Sequence, residues 1–147
     1  MTTAQGKALG LSQSGGPAMD GYIGFSSAAN FAYSTANGVA AGQYDFMGVA
    51  LHEMSEVMGR EILSGESLGS SAKNYGALDL MHYSAAGVRD LSATTPGYFS
   101  VDGGKTALAA FNTNPNGDGG DWAPGVGADS YLAFSNRSTQ ARYEAAI

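Results

Sequence analysis

One histidine and two carboxylates stand together near the middle of the chain, in the run His52-Glu53-Met54-Ser55-Glu56. On a helix, residues four apart lie about 40° from one another around the axis, so His52 and Glu56 share a face and reach a single ion. Glu53 stands beside the first of them. In the HExxH arrangement the two outer residues hold a metal and the inner carboxylate is aimed at the metal's water. Here Glu56 takes the place of the second imidazole. A carboxylate is a sound zinc ligand, but it neutralises a further unit of positive charge and leaves the metal a weaker Lewis acid. The competing reading is an i, i+4 pair on the wet side of an amphipathic helix, worth a few tenths of a kcal/mol.

Other chemistry is thinner. The chain has no cysteine, which removes disulfides, thiolate zinc sites and cysteine nucleophiles together. Asn112, Asn114 and Asn116 place oxygen side chains at alternate positions, followed by Gly117 and Asp118, the first half of a calcium loop. The bidentate glutamate that would complete it is absent, Ala123 standing there, so Ca2+ rests on Asp118 and Asp121 in an irregular site. Asn-Gly and Asp-Gly are also ordinary turn formers. No GxSxG elbow is present, and Gly103-Gly104-Lys105-Thr106 lacks the upstream glycine of a phosphate loop.

The elements that must position His52 are read from periodicity. The chain is 147 residues, a length that suits one domain. From Asp45 to Ile62 it is free of proline and of Gly-Gly or Asn-Gly breaks, and Asp45 is placed to cap the first amides. One helix over 45–62 is expected, with Met47, Leu51, Met54 and Met58 as its buried stripe and the arc carrying His52, Glu56 and Arg60 turned to solvent. Residues 1–19 read as peripheral, with a weak helix over 2–11 ended by the Gly-Gly-Pro run. Residues 20–26 read as an edge strand. Tyr98–Val101 and Thr106–Phe111 are expected to form a hairpin about Asp102-Gly103-Gly104. Residues 112–130 must be loop, with Trp122 anchoring it to the domain, and the end of the chain carries a short strand at 131–134 and a weak helical stretch from Ala141.

Thirteen acidic against seven basic side chains give a formal charge of −6, which disfavours nucleic acid as a partner. No run approaches the ~20 apolar residues of a membrane span, and the first residues show no export signal. Glycine is frequent, 22 residues without a Gly-X-Y repeat, so many turns are implied and collagen is excluded.

Four segments in order, DFMGVALHEMSEVMGR, GALDLMHYSAAGVRD, GYFSVDGGKTALAAFNT and GDGGDWA, resemble a family of secreted bacterial zinc metalloproteases related to the zincins and more loosely to the metzincins. The likeness runs from about residue 20 to residue 133. The resemblance implies an extracellular zinc peptidase fold in which His52 is the first zinc ligand, Glu53 the general base, and Gly59 the turn after the active-site helix. The sequence departs from the pattern at Glu56 and at Ile62, where a metzincin has its third histidine. The third ligand then comes from Gly76–Tyr83. Asp79 and Tyr83 look like the element of aspartate zincins in which the aspartate ligates and the tyrosine supports an oxyanion. Met81-His82-Tyr83 resembles a Met-turn, which makes His82 the rival to Asp79. A carboxylate or imidazole is the preferred partner for His52, and Asp79 is favoured.

The expected fold is therefore α+β and zincin-like: one long active-site helix on a small, mostly antiparallel sheet with long glycine-rich loops, a single domain over 1–147. The expected activity is zinc-dependent hydrolysis of a peptide or protein substrate, with Glu53 taking the proton of the attacking water, Tyr83 supporting the oxyanion, and the strand near Tyr22–Phe25 holding substrate by β-addition. The alternative is a non-catalytic extracellular structural or self-assembling protein, its strand edges pairing between copies into a homo-oligomer. Only 44 residues precede Asp45, fewer than a complete upper subdomain of a metzincin needs, so the chain also reads as a fragment of a longer one.

Overall fold

The computed structural model describes residues 1–11, 19–92 and 95–143. Among these residues two α-helices and six short strands form in the order α1 (Thr3–Ala8), β1 (Phe31–Ala32), β2 (Tyr44–Asp45), α2 (Phe46–Val57), β3 (His82–Ala85), β4 (Val88–Arg89), β5 (Tyr98–Phe99) and β6 (Ala109–Ala110). The class is α+β, with one antiparallel sheet in the order β4-β3-β5-β6 and a separate parallel pair β1-β2.

Helix α2 begins where its cap predicts. Asp45 accepts from the amides of Met47 and Gly48, which no residue of the first turn can satisfy. It ends earlier than expected, at Val57 rather than Ile62. Gly59 turns to φ +95°, its amide bonds to the Glu56 carbonyl at 2.7 Å, and the Arg60 amide bonds to the Ser55 carbonyl at 2.9 Å. This is a Schellman closure, which uses a left-handed glycine to satisfy the last carbonyls. Any other residue at Gly59 would be strained by this φ and would have to displace the Gln5 carboxamide of α1.

The helix faces the opposite way from the one its apolar stripe suggests. Met47 and Met54 are each 55% exposed and Met58 is nearly as open, Leu51 is half-buried, and the residue most enclosed along the helix is Gly48. The reason is long-range. A Cβ on Gly48 would sit 2.7 Å from the Ala141 methyl, so the glycine admits the C-terminal segment against the helix. Asp45 accepts from the Ala141 amide at 3.1 Å and the Tyr143 hydroxyl at 2.6 Å. The polar arc finds partners within the molecule, and the methionines are left outside.

The hydrophobic core lies in the second half of the chain. Leu78, Ala109, Phe111, Trp122 and Leu132 are buried together, with Ile62, Phe99, Val126 and Tyr131 packed on them. The expected hairpin is present: Tyr98 pairs with Ala110 and Phe99 with Ala109, and Gly103 and Gly104 both take positive φ in the turn. Strand β3 joins it through the His82–Phe99 and Tyr83–Tyr98 pairs. Trp122 anchors the long loop, as expected, with isolated bridges to Phe111 and Leu132.

Two expected strands do not form. Residues 21–26 are irregular, with Gly21 pressed on the Val57 side chain and Tyr22 standing out in solvent. Phe25 instead joins Phe31, Tyr33 and Phe46 in an aromatic cluster, its ring 5.1 Å from Phe46. The substrate-holding strand is thereby withdrawn. Tyr131–Phe134 makes only the single bridge at Leu132. The described part of the terminal helical stretch, 141–143, is not helical, and 144–147 lie outside the described residues.

Candidate metal centre

His52 lies in the second turn of α2 and points inward. Its Nδ1 is 2.9 Å from the Ser130 carbonyl oxygen. A carbonyl only accepts, so Nδ1 carries the proton and Nε2 is left for a ligand. Nε2 lies 3.0 Å from Glu56 Oε1 and 3.5 Å from Asp121 Oδ1. The shared face of His52 and Glu56 is as the spacing requires.

The third member comes from outside the expected segment. Among the described residues His52, Glu56 and Asp121 form the one group whose donor atoms, all within 4.8 Å of one another, could hold a metal. Gly120 lets the loop come this close, since a Cβ there would meet the Ile62 amide nitrogen at 3.1 Å. One imidazole nitrogen and two carboxylate oxygens suit zinc. Bonds of about 2.0–2.1 Å in a tetrahedron separate donors by about 3.4 Å, and the 3.0 and 3.5 Å spacings bracket that edge. The residues present could hold a divalent metal ion.

Asp79 and His82 are placed elsewhere and are otherwise engaged. The Asp79 carboxylate is 1% exposed and accepts three backbone amides, Leu63 at 2.9 Å, Ser64 at 3.0 Å and Gly76 at 2.6 Å, clamping two chain segments together. His82 donates Nδ1–H to the Asp90 carbonyl at 2.9 Å and packs its ring on Phe111, with its Nε2 edge against Gly97. The buried Tyr83 hydroxyl accepts from Arg89 Nη2 at 3.0 Å. Glu53 makes no hydrogen bond or ion pair among the described residues, so its carboxylate stays available on the helix beside His52.

A further residue completes the centre. Arg60 donates Nη1–H to Asp121 Oδ1 at 2.8 Å and to the Gly120 carbonyl at 3.1 Å, and Nε–H to Ser55 Oγ at 2.7 Å. Its Nη2 lies 3.5 Å from Glu56 Oε1 without forming a hydrogen bond. The guanidinium also stacks 4.7 Å from the centre of the Tyr131 ring. The spacing of Glu56 and Arg60 was visible in the sequence as another i, i+4 pair. Nothing local pointed to Asp121, which is 65 positions beyond Glu56 and had served only as an oxygen for calcium.

The charges bias one another. Burial is the largest influence on His52 and pulls its pKa down, but the Glu56 hydrogen bond and the Asp121 charge outweigh it and the net shift is upward. The His52 hydrogen bond holds Glu56 below the usual carboxylate range. Asp121 is raised: burial exceeds the pull of His52 and Arg60 even at 2.8 Å, because the carboxylate is almost fully removed from water.

The calcium half-loop closes on itself. Asn112 Nδ2 donates to the carbonyls of Asn114 and Asp118, while the side-chain oxygens of Asn112, Asn114 and Asp118 accept the amides of Asn114, Asn116 and Gly120. Three of the half-loop's side-chain oxygens thus cap Asx turns, and of the calcium candidates only Asp121 belongs to the group of donors that could hold a metal. Among the described residues no helix is long and apolar enough to cross a membrane. Comparison with protein families, curated proteins and solved structures finds no match to this chain.

Proposed function

We propose that the chain is a zinc-dependent peptide hydrolase whose metal is held by His52, Glu56 and Asp121. The observation that carries this is the convergence of the three donors, with the Ser130 carbonyl fixing His52 in the tautomer a metal requires. Bound zinc supplies Lewis acidity toward a water and a substrate carbonyl. Glu53, one residue along the helix and without a hydrogen bond or ion pair among the described residues, accepts the proton. The resemblance in the four segments supplies the substrate class, and secretion comes with that resemblance.

Chain purified without chelator tests the reading. About one zinc per chain is expected, lost in His52→Ala and in Asp121→Asn, together with cleavage of casein by the wild type. No zinc above background in the wild type would overturn it.

A second reading has its own observation. Arg60 already pairs with both carboxylates, so the cluster is electrostatically closed without an ion and suits a non-catalytic structural domain. Zinc-free, inert and stable protein would favour it.

A further inference from the structure

Arg60 is drawn to the same two oxygens that a metal at His52 would use. Asp121 Oδ1 is 2.8 Å from Arg60 Nη1 and 3.5 Å from His52 Nε2, and Glu56 Oε1 is 3.0 Å from His52 Nε2 and 3.5 Å from Arg60 Nη2. The oxygens that a metal needs are therefore those the guanidinium uses. Arginine does not lose its proton in a protein, so a divalent ion at this place faces an undiminished positive charge in a site with little water to screen it. We propose that Arg60 is the resident cation of this site and that a divalent metal binds by displacing it from Asp121.

The surroundings provide both a reason to leave and a place to go. Nη2 is buried and makes no hydrogen bond, so the guanidinium is incompletely satisfied where it lies. Beside it is a cavity of about 390 Å³ lined by Ser55, Met58, Arg60, Trp122 and Tyr131 among others, open to solvent on one side. The Tyr131 ring, 4.7 Å from the guanidinium carbon, also lines the cavity, so a swing into it can keep the cation beside an aromatic ring. Arg60 follows Gly59, where the backbone has already left the helix, and moves without unwinding α2. Without metal, the arginine keeps two largely buried carboxylates paired; with metal, it is surplus. The exchange sets affinity and keeps the metal-free domain folded.

This inference rests on the metal-centre reading, and the experiment separates the two. Zinc affinity is measured by chelator competition, and melting with and without zinc, for wild type, Arg60→Gln and Arg60→Lys. Loss of the charge in Arg60→Gln is expected to tighten zinc by about tenfold or more, and to lower the melting temperature of the zinc-free protein while leaving the zinc-loaded one near wild type. Arg60→Lys, which keeps the charge, should stay close to the wild-type affinity. Zinc binding by Arg60→Gln alone, with none by wild type, would also support the exchange. Equal or weaker binding by Arg60→Gln overturns it, since the arginine would then be a support for the ligands. No zinc in any of the three sinks the metal centre itself and the exchange with it. Should Arg60→Gln fail to fold, the wild type still decides. On titration with zinc the Arg60 Nε–H resonance, held by Ser55 Oγ, should shift and exchange faster, and an unmoved resonance at saturation overturns the displacement.

Discussion

His52 Nδ1 donates to the Ser130 carbonyl oxygen at 2.9 Å, joining α2 to a segment 78 positions further along the chain. One bond thus does two things: it orients the imidazole, and it ties the helix to the C-terminal strap, where the Ser130 amide and hydroxyl both donate to the Arg142 carbonyl. Both ring nitrogens face acceptors, the Ser130 carbonyl at Nδ1 and the Glu56 carboxylate at Nε2, so the metal-free ring is expected to carry both protons and the zinc-loaded ring to keep the one on Nδ1. Long-range nitrogen–proton correlation on the ring of the zinc-loaded protein reads the tautomer directly. A proton kept on Nε2 there would contradict ligation through that nitrogen.

Asp79 is a stabiliser by its position. Three amides converge on its carboxylate, and among the described residues none donates to another acceptor. Asp79→Asn keeps the size, loses the charge and turns a donor toward one of those amides. Hydrogen bonds to charged groups are worth about 1.5–3 kcal/mol each and buried unpaired amides are costly, so a loss of about 3 kcal/mol is expected. Zinc stoichiometry should not change. Denaturant unfolding and metal analysis on the same sample distinguish this from a ligand role, in which zinc falls and stability moves little.

The helix, its N-terminus, the hairpin turn and the Trp122 anchor were legible from local signals, since each depends on residues within a few positions of one another. Asp45 as a cap and Gly103-Gly104 as a turn illustrate this. The helix face was not legible. A hydrophobic stripe predicts burial only when the apolar side is the one that meets the rest of the chain, and here Gly48 and Asp45 are claimed by Ala141 and Tyr143. The site was half legible for the same reason. His52 and Glu56 meet through helix geometry alone, whereas Asp121 arrives through a loop whose path is set by burial of Trp122 next to it.

That inversion is testable on α2 itself. Met54→Gln replaces an exposed side chain and should change stability by no more than about 0.5 kcal/mol. Gly48→Val forces branched carbons into the space held by the Ala141 methyl and should cost about 2 kcal/mol or more through overpacking and displacement of the C-terminal strap. The order of the two effects is the diagnostic. If Met54→Gln proves the more damaging, the helix is turned the other way.

Asp102 gives the hairpin a pH dependence. Its carboxylate is held well below the ordinary value near 3.8, chiefly by the Thr106 hydroxyl, then by the Thr106 amide and the Ser100 hydroxyl. A depressed folded-state pKa contributes stability that is present above the unfolded value and lost as pH falls through the folded one. Melting of wild type and Asp102→Asn from neutral pH downward should therefore show the wild type ahead at neutrality, with the gap narrowing only below about pH 4. A gap that is constant to the acid limit would show that the turn does not depend on the charge.

Glu53 carries the catalytic claim, because it is the carboxylate adjacent to the first ligand and makes no hydrogen bond or ion pair among the described residues. If it accepts the proton of the attacking water, Glu53→Gln lowers turnover of an unfolded protein substrate by at least the ~10²-fold that loss of a general base costs. Nothing else should move: the amide is isosteric, no contact is broken, and the three donors lie outside it, so zinc content and melting temperature stay at wild-type values. Zinc content and turnover measured together on one preparation keep the outcomes apart. Turnover lost with zinc retained assigns the proton to Glu53. Turnover lost together with zinc would mean that Glu53 supports the metal instead. Unchanged turnover would return the reaction to another residue, and a wild type that binds zinc yet cleaves nothing would leave the cluster a structural metal site.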